Sequence, residues 1–384
     1  MDCFIKYCYD VGLREPTAKK YQPKSNNFLL GCFVINLIQG DNILGLNLKS
    51  STISNYVNAA SQLYTERDHP NPFTFKELKI NYPKIIITAL SKYEKVPDRK
   101  EVITDSMFEY IEELASQSDE DSLISSFKDW LTWSRYSGPR RGEWCQKRQK
   151  KYEIAEHGNG NEARAITARD VQFYTKHARE ISLDDDFSNV AYAAVEWRFQ
   201  KNHDNGEIIK YYVNPRSTKW CPALALWRIK QRAKRLGIPK HEPIAKYLST
   251  NGKCLFITDY DVKTILQQAA REKLGIKCTK ALSRWTSHSL RVTAANELHR
   301  LGFNTLFIQQ RLRWRSDAFM KYLRHTIHVA RKHSAMMSLN SENLKVRPSN
   351  LDTINKRIES MDIFRVPCED DILWESNFYA AEAA

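Results

Sequence analysis

One stretch of this chain has the pattern of β-strands, and the segments around it have the spacing of α-helices. In residues 189–215, runs rich in β-branched and aromatic residues stand on each side of "NHDNG", which predicts a hairpin with a polar turn. The segment "ARAITARDVQFYT" before it also departs from helical spacing. We therefore expect a mainly α protein with a small antiparallel sheet, whose larger domain is mixed α/β.

Residues 1–97 are predicted to form a helical domain. "NNFLLGCFVINLIQG" has the composition of a buried helix that ends at Gly40, and "KSSTISNYVNAASQLYTER" begins with Ser/Thr caps before apolar residues at helical spacing. A third helix is expected in "TFKELKINYPKIIITALSKY", with Pro83 near an inner boundary. The polar "EKVPDRKEVITDS" then indicates a linker.

A larger domain is expected over residues 104–340. Two amphipathic helices with cap-like starts, "TDSMFEYIEELASQ" and "DSLISSFKDWLTWSRYSG", precede the hairpin. Helical patterns resume after it and continue to "SDAFMKYLRHT". Residues 341–384 are polar and then acidic, which indicates a loosely held C-terminal tail.

The charge of the chain points to a polyanionic partner. Its 384 residues carry a net charge of +14, with an isoelectric point near 9.3, which favours nucleic acid first and an anionic membrane surface second. The basic run "QKRQKKYE" suits a nuclear address, a DNA-backbone contact or a plain exposed loop. The sequence has no run of 18 apolar residues and no signal-peptide pattern. We expect an intracellular protein without a membrane partner, nuclear if the host is eukaryotic or viral and otherwise cytoplasmic.

The cysteines give no sign of a disulfide framework or a zinc site. The chain has eight, none in a C-x-x-C pair or near a histidine pair at zinc-finger spacing. They indicate free thiols in a reducing compartment. They therefore give no reason to expect a structural metal.

Three separated segments offer side chains that could meet at a phosphate. "SGPRRGEWCQ" supplies Arg140 and Glu143, and "TSHSLRVTAANELHRLG" places His288 and Arg291 at a helix start. "RLRWRSDAFMKY" and the hairpin turn supply the remaining candidates, Trp314, Tyr322 and Lys201. Each residue alone has a simpler explanation, as surface charge, an i,i+3 ion pair or core packing. Their joint order along the chain is the stronger signal.

In that order the sequence resembles the tyrosine recombinase, or phage integrase, family. The matching stretches are "SGPRRGE", "FQKNHDNGE", "HSLR", "RLRW" and "FMKY", and "WRSDAFMKYLRHT" is similar to recombinases of DIRS- and Crypton-like mobile elements. The chain departs from the family pattern at Arg313, where many members have glycine, and in a long segment between the first arginine and the hairpin lysine. "SGPRR" also offers Arg141, but Arg140 keeps the family's offset of three to Glu143.

The resemblance implies a DNA breaking and joining enzyme that needs neither a metal nor an organic cofactor. Arg140 and Arg291 would clamp a phosphate bidentately. His288 would donate to an oxygen or help move a proton, and Trp314 would pack against the site and donate its indole N–H. Tyr322 would attack phosphorus, leaving a 3′-phosphotyrosyl bond. Lys201 would protonate the leaving 5′ oxygen, with Lys210 and Lys219 as rivals for that role.

The family also implies duplex DNA gripped by both domains and a homotetramer on two paired sites, with the tail docked on a neighbour. Two alternatives remain open: a type IB topoisomerase-like enzyme without synapsis, and a non-catalytic DNA-binding protein of the same fold. A metal-dependent nuclease would want paired carboxylates. Only "LDDDF" at residues 183–187 offers a cluster of that kind.

Overall fold

The protein is described by a computed structural model covering residues 2–14, 22–39, 47–74, 76, 80–94, 99–149, 151–155, 162–200, 204–323 and 334. The chain divides into two compact units, residues 1–97 and 98–384, and each is described by itself. No helix within these ranges is long and apolar enough to cross a membrane.

The first unit consists, over its described residues, of helices around one apolar core. Aromatic residues fill that core, where the rings of Phe4 and Phe33 meet edge to face at 5.2 Å. The buried Asn27 donates to the carbonyl of Pro72 at 2.7 Å and accepts from the amide of Tyr82 at 3.0 Å. The amide thus ties the second helix to the start of the fourth. The helices are α1 (Asp2–Asp10), α2 (Pro23–Ile38), α3 (Ser50–Thr65) and α4 (Tyr82–Tyr93).

The second unit surrounds a four-stranded antiparallel sheet with helices. The strand order is β2-β1-β3-β4, and the predicted hairpin is the β3–β4 pair, with Trp197 opposite Glu207. The strands are β1 (Val171–Tyr174), β2 (Glu180–Ile181), β3 (Tyr192–Trp197) and β4 (Glu207–Tyr212), and a separate pair is β5 (Lys246–Leu248) with β6 (Cys254–Phe256). The helices are α5 (Asp105–Ser116), α6 (Leu123–Ser137), α7 (Arg141–Trp144), α8 (Pro222–Arg235), α9 (Asp259–Leu274), α10 (Thr279–Leu282), α11 (Ser287–Arg300) and α12 (Thr305–Arg311).

Helix α6 runs through the core of this unit and carries two of its tryptophans, Trp130 and Trp133. Trp133 stacks on Trp197 of β3 at 5.6 Å, and Trp130 stacks on Trp144 of α7 at 5.2 Å. The predicted cap-like starts are present, because Ser122 accepts from the amide of Ser125 at the head of α6. This packing fixes the direction in which α6 ends.

Two expectations about secondary structure are wrong, and one pair of strands was not predicted. Helix α4 begins at Tyr82, so Pro83 lies in its first turn, where no amide is needed, and not at an inner boundary. The segment Asp317–Tyr322 is a 3₁₀ helix and not an α-helix. The pair of β5 and β6 went unpredicted because strands of three residues are too short to show a period. Gly40 and the tail at 341–384 lie outside the described residues.

Helix α6 ends at a glycine that no other residue replaces easily. Gly138 has a φ of +50°, and a Cβ built there would lie 3.1 Å from both Ala294 Cβ and Leu312 Cδ2. Gly237, which follows α8, has a φ of +63° with no atom within 4 Å of such a Cβ. Both glycines have a left-handed backbone, but only Gly138 is crowded by neighbouring side chains. A comparison of the two positions therefore separates the effect of backbone strain from that of crowding.

Alanine at these two positions should lower the free energy of unfolding to different extents. Gly237→Ala should cost about 1–2 kcal/mol from the left-handed backbone alone. Gly138→Ala should cost about 1–3 kcal/mol more, because it adds steric overlap. All 9 tryptophans lie in the second unit, so urea unfolding followed by tryptophan fluorescence measures both variants. Equal losses would contradict the crowding at Gly138.

Candidate active site

The head of α11 places a histidine and an arginine on one face. Thr286 caps the helix by accepting from the amide of His288 at 3.3 Å, and residues three apart in a helix are neighbours. Arg291 is 2% exposed. Its Nη1 donates to the carbonyl of Gly138 at 2.6 Å, and its Nη2 donates to the carbonyl of Leu312 at 2.8 Å.

Those two carbonyls belong to left-handed turns that end two different helices. Gly138 ends α6, and Arg313, with a φ of +58°, follows the end of α12. A left-handed residue turns the chain so that the last carbonyls of a helix are satisfied locally or point to a partner. Arg291 is that partner, and it joins the ends of α6 and α12 to α11.

Arg140 lies against the same turn. Its Nη1 donates to Glu143 Oε1 at 2.9 Å, its amide donates to Glu143 Oε2 at 2.7 Å, and its Nη2 donates to the carbonyl of Arg313 at 3.1 Å. Arg141, the rival at this position, instead pairs with Glu153 at 2.8 Å. Of the two arginines, the structure brings Arg140 to Arg291 and Glu143.

A third arginine, at a position where the sequence departs from the family pattern, also lies in the cluster. Arg313 is 4% exposed. Its Nη2 lies 2.9 Å from Glu143 Oε2, and its guanidinium carbon lies 3.2 Å from the ring centre of Trp197. The signal that could have identified it is an arginine at a helix end where glycine is usual, next to a tryptophan.

The aromatic candidates lie beside Arg291. Its guanidinium carbon is 4.0 Å from the ring centre of Trp314, which stacks on Tyr322 at 5.7 Å. The ring of His288 meets that of Tyr322 at 5.0 Å. Asn296 of α11 donates to the backbone carbonyl of Tyr322 at 2.8 Å. The helix that carries His288 and Arg291 therefore also holds the tyrosine segment.

The lysine candidates do not join this arrangement in the described part of the chain. Lys201 lies outside the described residues. Lys210 is exposed on β4, with its ammonium 5.0 Å from the ring centre of Tyr192. Lys219 lies 3.5 Å from Glu112. The lysine assignment stays a prediction.

The cluster holds more positive than negative charge away from water. Burial lowers the pKa of Arg291, and Arg140 lowers it further, while Glu143 opposes the shift. Burial raises the pKa of Glu143, but Arg313, Arg140 and Arg291 together hold it below its ordinary value. One carboxylate thus faces three guanidinium groups. Such a site favours an additional anion, because bringing a negative charge to it offsets the cost of burying cations.

His288 is set to be uncharged at neutral pH. Burial lowers its pKa to about 4, with repulsion from Arg291 and Lys100 adding to the effect. A neutral imidazole has one nitrogen that accepts a proton. Beside the ring of Tyr322, it can therefore act as a base or as a hydrogen-bond donor.

The described residues offer little for metal-dependent chemistry. They contain no group of three or more His, Cys, Asp or Glu side chains that could hold a metal ion. Within "LDDDF", Asp184 forms an ion pair with Lys234, and Asp185 accepts from the amide of Ser182 at 2.9 Å. The acidic cluster is therefore used in local contacts on a loop.

Comparisons with known proteins find similar solved structures. No family model matches the chain, and no curated protein matches it. The Tn1549 transposon integrase in complex with transposon right end DNA is 10% identical, with a TM-score of 0.44 over 88% of this chain and 98% of that one. A lambda integrase dimer bound to a COC′ core site is 15% identical, with a TM-score of 0.38 over 84% and 94%. The XerA recombinase is 15% identical, with a TM-score of 0.34 over 90% and 98%.

The structural neighbours are thus integrases and a recombinase, the family that the motifs of this sequence also resemble. At identities of 10% to 15%, they assign no role to any residue.

Sulfate should bind at Arg291 and stabilise the second unit. At a concentration 100 times its Kd, a ligand that binds only the folded state adds about 2.7 kcal/mol. This stabilisation raises the melting temperature of the wild type, and Arg291→Met should lose most of that rise. Sulfate also stabilises proteins generally by exclusion from their surface, so the exposed Arg271→Met on α9 serves as the control. An equal sulfate response in both variants would rule out an anion site at Arg291.

His288 should make the protein less stable in acid. Its folded pKa lies below the ordinary 6.5, so the unfolded chain binds the proton more readily. Stability is therefore lost as pH falls from 6.5 towards 4, by up to about 3 kcal/mol. His288→Gln should flatten this part of the curve of unfolding free energy against pH, while the exposed His177→Gln should not. Parallel curves for wild type and His288→Gln would contradict the shift.

Proposed function

We propose that this chain is a site-specific DNA recombinase or integrase that cuts a strand with Tyr322. The observation that carries the proposal is the convergence of three chain segments on one cluster. Arg140 and Arg291 share the turn at residues 312 and 313, and the backbone carbonyl of Tyr322 accepts from Asn296 on α11, the helix that carries Arg291. A phosphodiester has the charge that such a cluster favours, and a phenol can attack it.

The proposed partner is duplex DNA. The net charge of +14 supports a polyanionic ligand, and phosphate contacts supply affinity that falls steeply as salt rises. In this proposal the unit at residues 1–97 is the DNA-binding domain that accompanies the catalytic domain. Assembly into a homotetramer on two paired sites belongs to the same proposal.

The cleavage step uses each group once. Arg140 and Arg291 donate to the non-bridging oxygens, where negative charge grows in the transition state. Tyr322 Oη attacks phosphorus while neutral His288 accepts or shares its proton. The P–O5′ bond breaks, and Lys201 protonates the leaving oxygen. Trp314 packs against Arg291 and keeps water from its guanidinium.

The products are a 3′-phosphotyrosyl linkage and a free 5′ hydroxyl. The new bond conserves the energy of the phosphodiester, so a 5′ hydroxyl from a partner strand can attack it without ATP. Release of Tyr322 then completes the exchange. A hydrolase would instead lose that energy to water, which separates this proposal from a nuclease.

The test is the covalent adduct itself. Full-length protein is incubated with a library of nicked duplexes that carry a randomised segment, and adducts are recovered under denaturing conditions and sequenced. Tyr322→Phe should form no adduct, because it lacks the nucleophilic oxygen. Tyr260→Phe, at an exposed tyrosine on α9, should behave as wild type. An adduct that persists in Tyr322→Phe would displace this residue as the nucleophile.

The same assay separates the alternatives. Strand exchange between two selected duplexes supports a recombinase, whereas relaxation of a supercoiled plasmid without exchange supports a topoisomerase-like enzyme. Duplex binding with no adduct in wild type would indicate a non-catalytic DNA-binding protein.

A further inference from the structure

Arg313 occupies a backbone position that suits glycine. It follows α12, where its amide donates to the carbonyl of Gln310 at 3.1 Å and the amide of Trp314 donates to the carbonyl of Gln309 at 2.8 Å. These two bonds form a Schellman motif, whose left-handed residue is usually glycine. A side chain at a φ of +58° is disfavoured because Cβ crowds the backbone.

The side chain of Arg313 is also in an unfavourable environment. It is buried, and even a paired charge loses its hydration on burial, which costs free energy. Its contacts include Glu143 at 2.9 Å, the carbonyl of Ser137 at 3.3 Å and the face of Trp197. Two costs at one residue indicate that its contacts serve the site.

Those contacts lead to Arg140 by two routes. The carbonyl of Arg313 accepts directly from Arg140 Nη2, and its guanidinium contacts the carboxylate that accepts from Arg140 Nη1. Both ends of the Arg140 guanidinium are therefore held, and its plane is fixed.

The charge of Arg313 matters as much as its carbonyl. Glu143 is 4% exposed, so its negative charge needs cations close by. Arg313 and Arg140 share it, on Oε2 and Oε1 respectively. Without Arg313, Arg140 would be the guanidinium left bonded to this carboxylate, and a phosphate would compete with Glu143 for it.

We propose that Arg313 is a positioning residue that neutralises Glu143 and fixes the plane of Arg140, so that Arg140 can bind a phosphate oxygen. This inference rests on the proposed function, because it assigns the phosphate to a scissile DNA linkage. It adds Arg313 to the two arginines that bind the phosphate, as a residue that does not itself touch the substrate.

Two substitutions of similar size separate charge from packing. Arg313→Lys and Arg313→Met both keep a Cβ at the left-handed position, but only lysine keeps a cation opposite Glu143. Arg311→Met is the matched control. Arg311 lies on α12 near the same turn and contacts Tyr211 and the carbonyl of Lys210.

The first measurement is the rate of adduct formation at saturating concentrations of a duplex selected by the adduct assay. Arg313→Met should be slower by about tenfold to a hundredfold, since it weakens one phosphate donor. Arg313→Lys should stay within about threefold of wild type, because the charge on Glu143 remains paired. Arg311→Met should match wild type. A wild-type rate in Arg313→Met would overturn the proposal.

The second measurement asks whether Arg313 acts through Arg140. Introduced into Arg140→Ala, Arg313→Met should slow the adduct by less than about threefold more, since residues that act as a unit are not additive. A duplex with a neutral methylphosphonate at the scissile position should restore both single variants, because less charge then needs neutralising. A full additional loss of rate in the double variant would show that Arg313 acts independently of Arg140. No restoration of Arg313→Met by the methylphosphonate duplex would show that Arg313 acts only on folding.

A third measurement needs no DNA cleavage. The sulfate-induced rise in melting temperature should be smaller in Arg140→Ala and in Arg313→Met than in wild type. The double variant should show the same reduced rise as the single variants. Arg311→Met should show the wild-type rise. This pattern without an adduct in wild type would overturn the proposed function and leave the positioning role of Arg313 standing. An undiminished sulfate response in Arg313→Met would contradict the positioning role itself.

Discussion

The site depends on one buried carboxylate shared by two arginines. Glu143 accepts from Arg140 on Oε1 and from Arg313 on Oε2, and so links a short helix after α6 to the turn after α12. A carboxylate with so little solvent is stable only with cations nearby. The requirement is mutual, because the same carboxylate offsets part of the cost of burying each guanidinium charge. This ion pair joins Arg313 to Glu143, two residues 170 apart in the chain.

Neutral carbonyls, rather than further carboxylates, hold the remaining guanidinium. Arg291 bonds the carbonyls of Gly138 and Leu312, which orient the group without cancelling its charge. Donors fixed in this way need no reorganisation when negative charge develops on a substrate. The cost is paid in stability, at a left-handed arginine and at a buried cation. A site arranged for a transition state commonly lowers the stability of the protein in the absence of ligand.

The parts of this arrangement that were predictable from sequence are the local ones. The β3–β4 hairpin follows from residue types on each side of a polar turn, and Gly138 ends α6 as a glycine before a proline suggests. The offset of three between Arg140 and Glu143 identified the arginine that the structure places in the cluster. An arginine where glycine is usual marks residue 313 in the sequence, but its burial against Glu143 and Trp197 could not be predicted, because both residues are distant in the chain. The 3₁₀ conformation around Tyr322 likewise follows from packing on α11 and not from local spacing.

The same electrostatics connects the resting site to its chemistry. His288 is neutral because it is buried and because Arg291 and Lys100 repel a second positive charge. A phosphate bound at Arg291 would bring a negative charge to the same place and offset that repulsion, so the pKa of His288 would rise on binding. The imidazole would then accept the proton of the phenol more readily with substrate present than without it. In this way the cluster of arginines would do more than bind the phosphate: the bound phosphate would make His288 a stronger base.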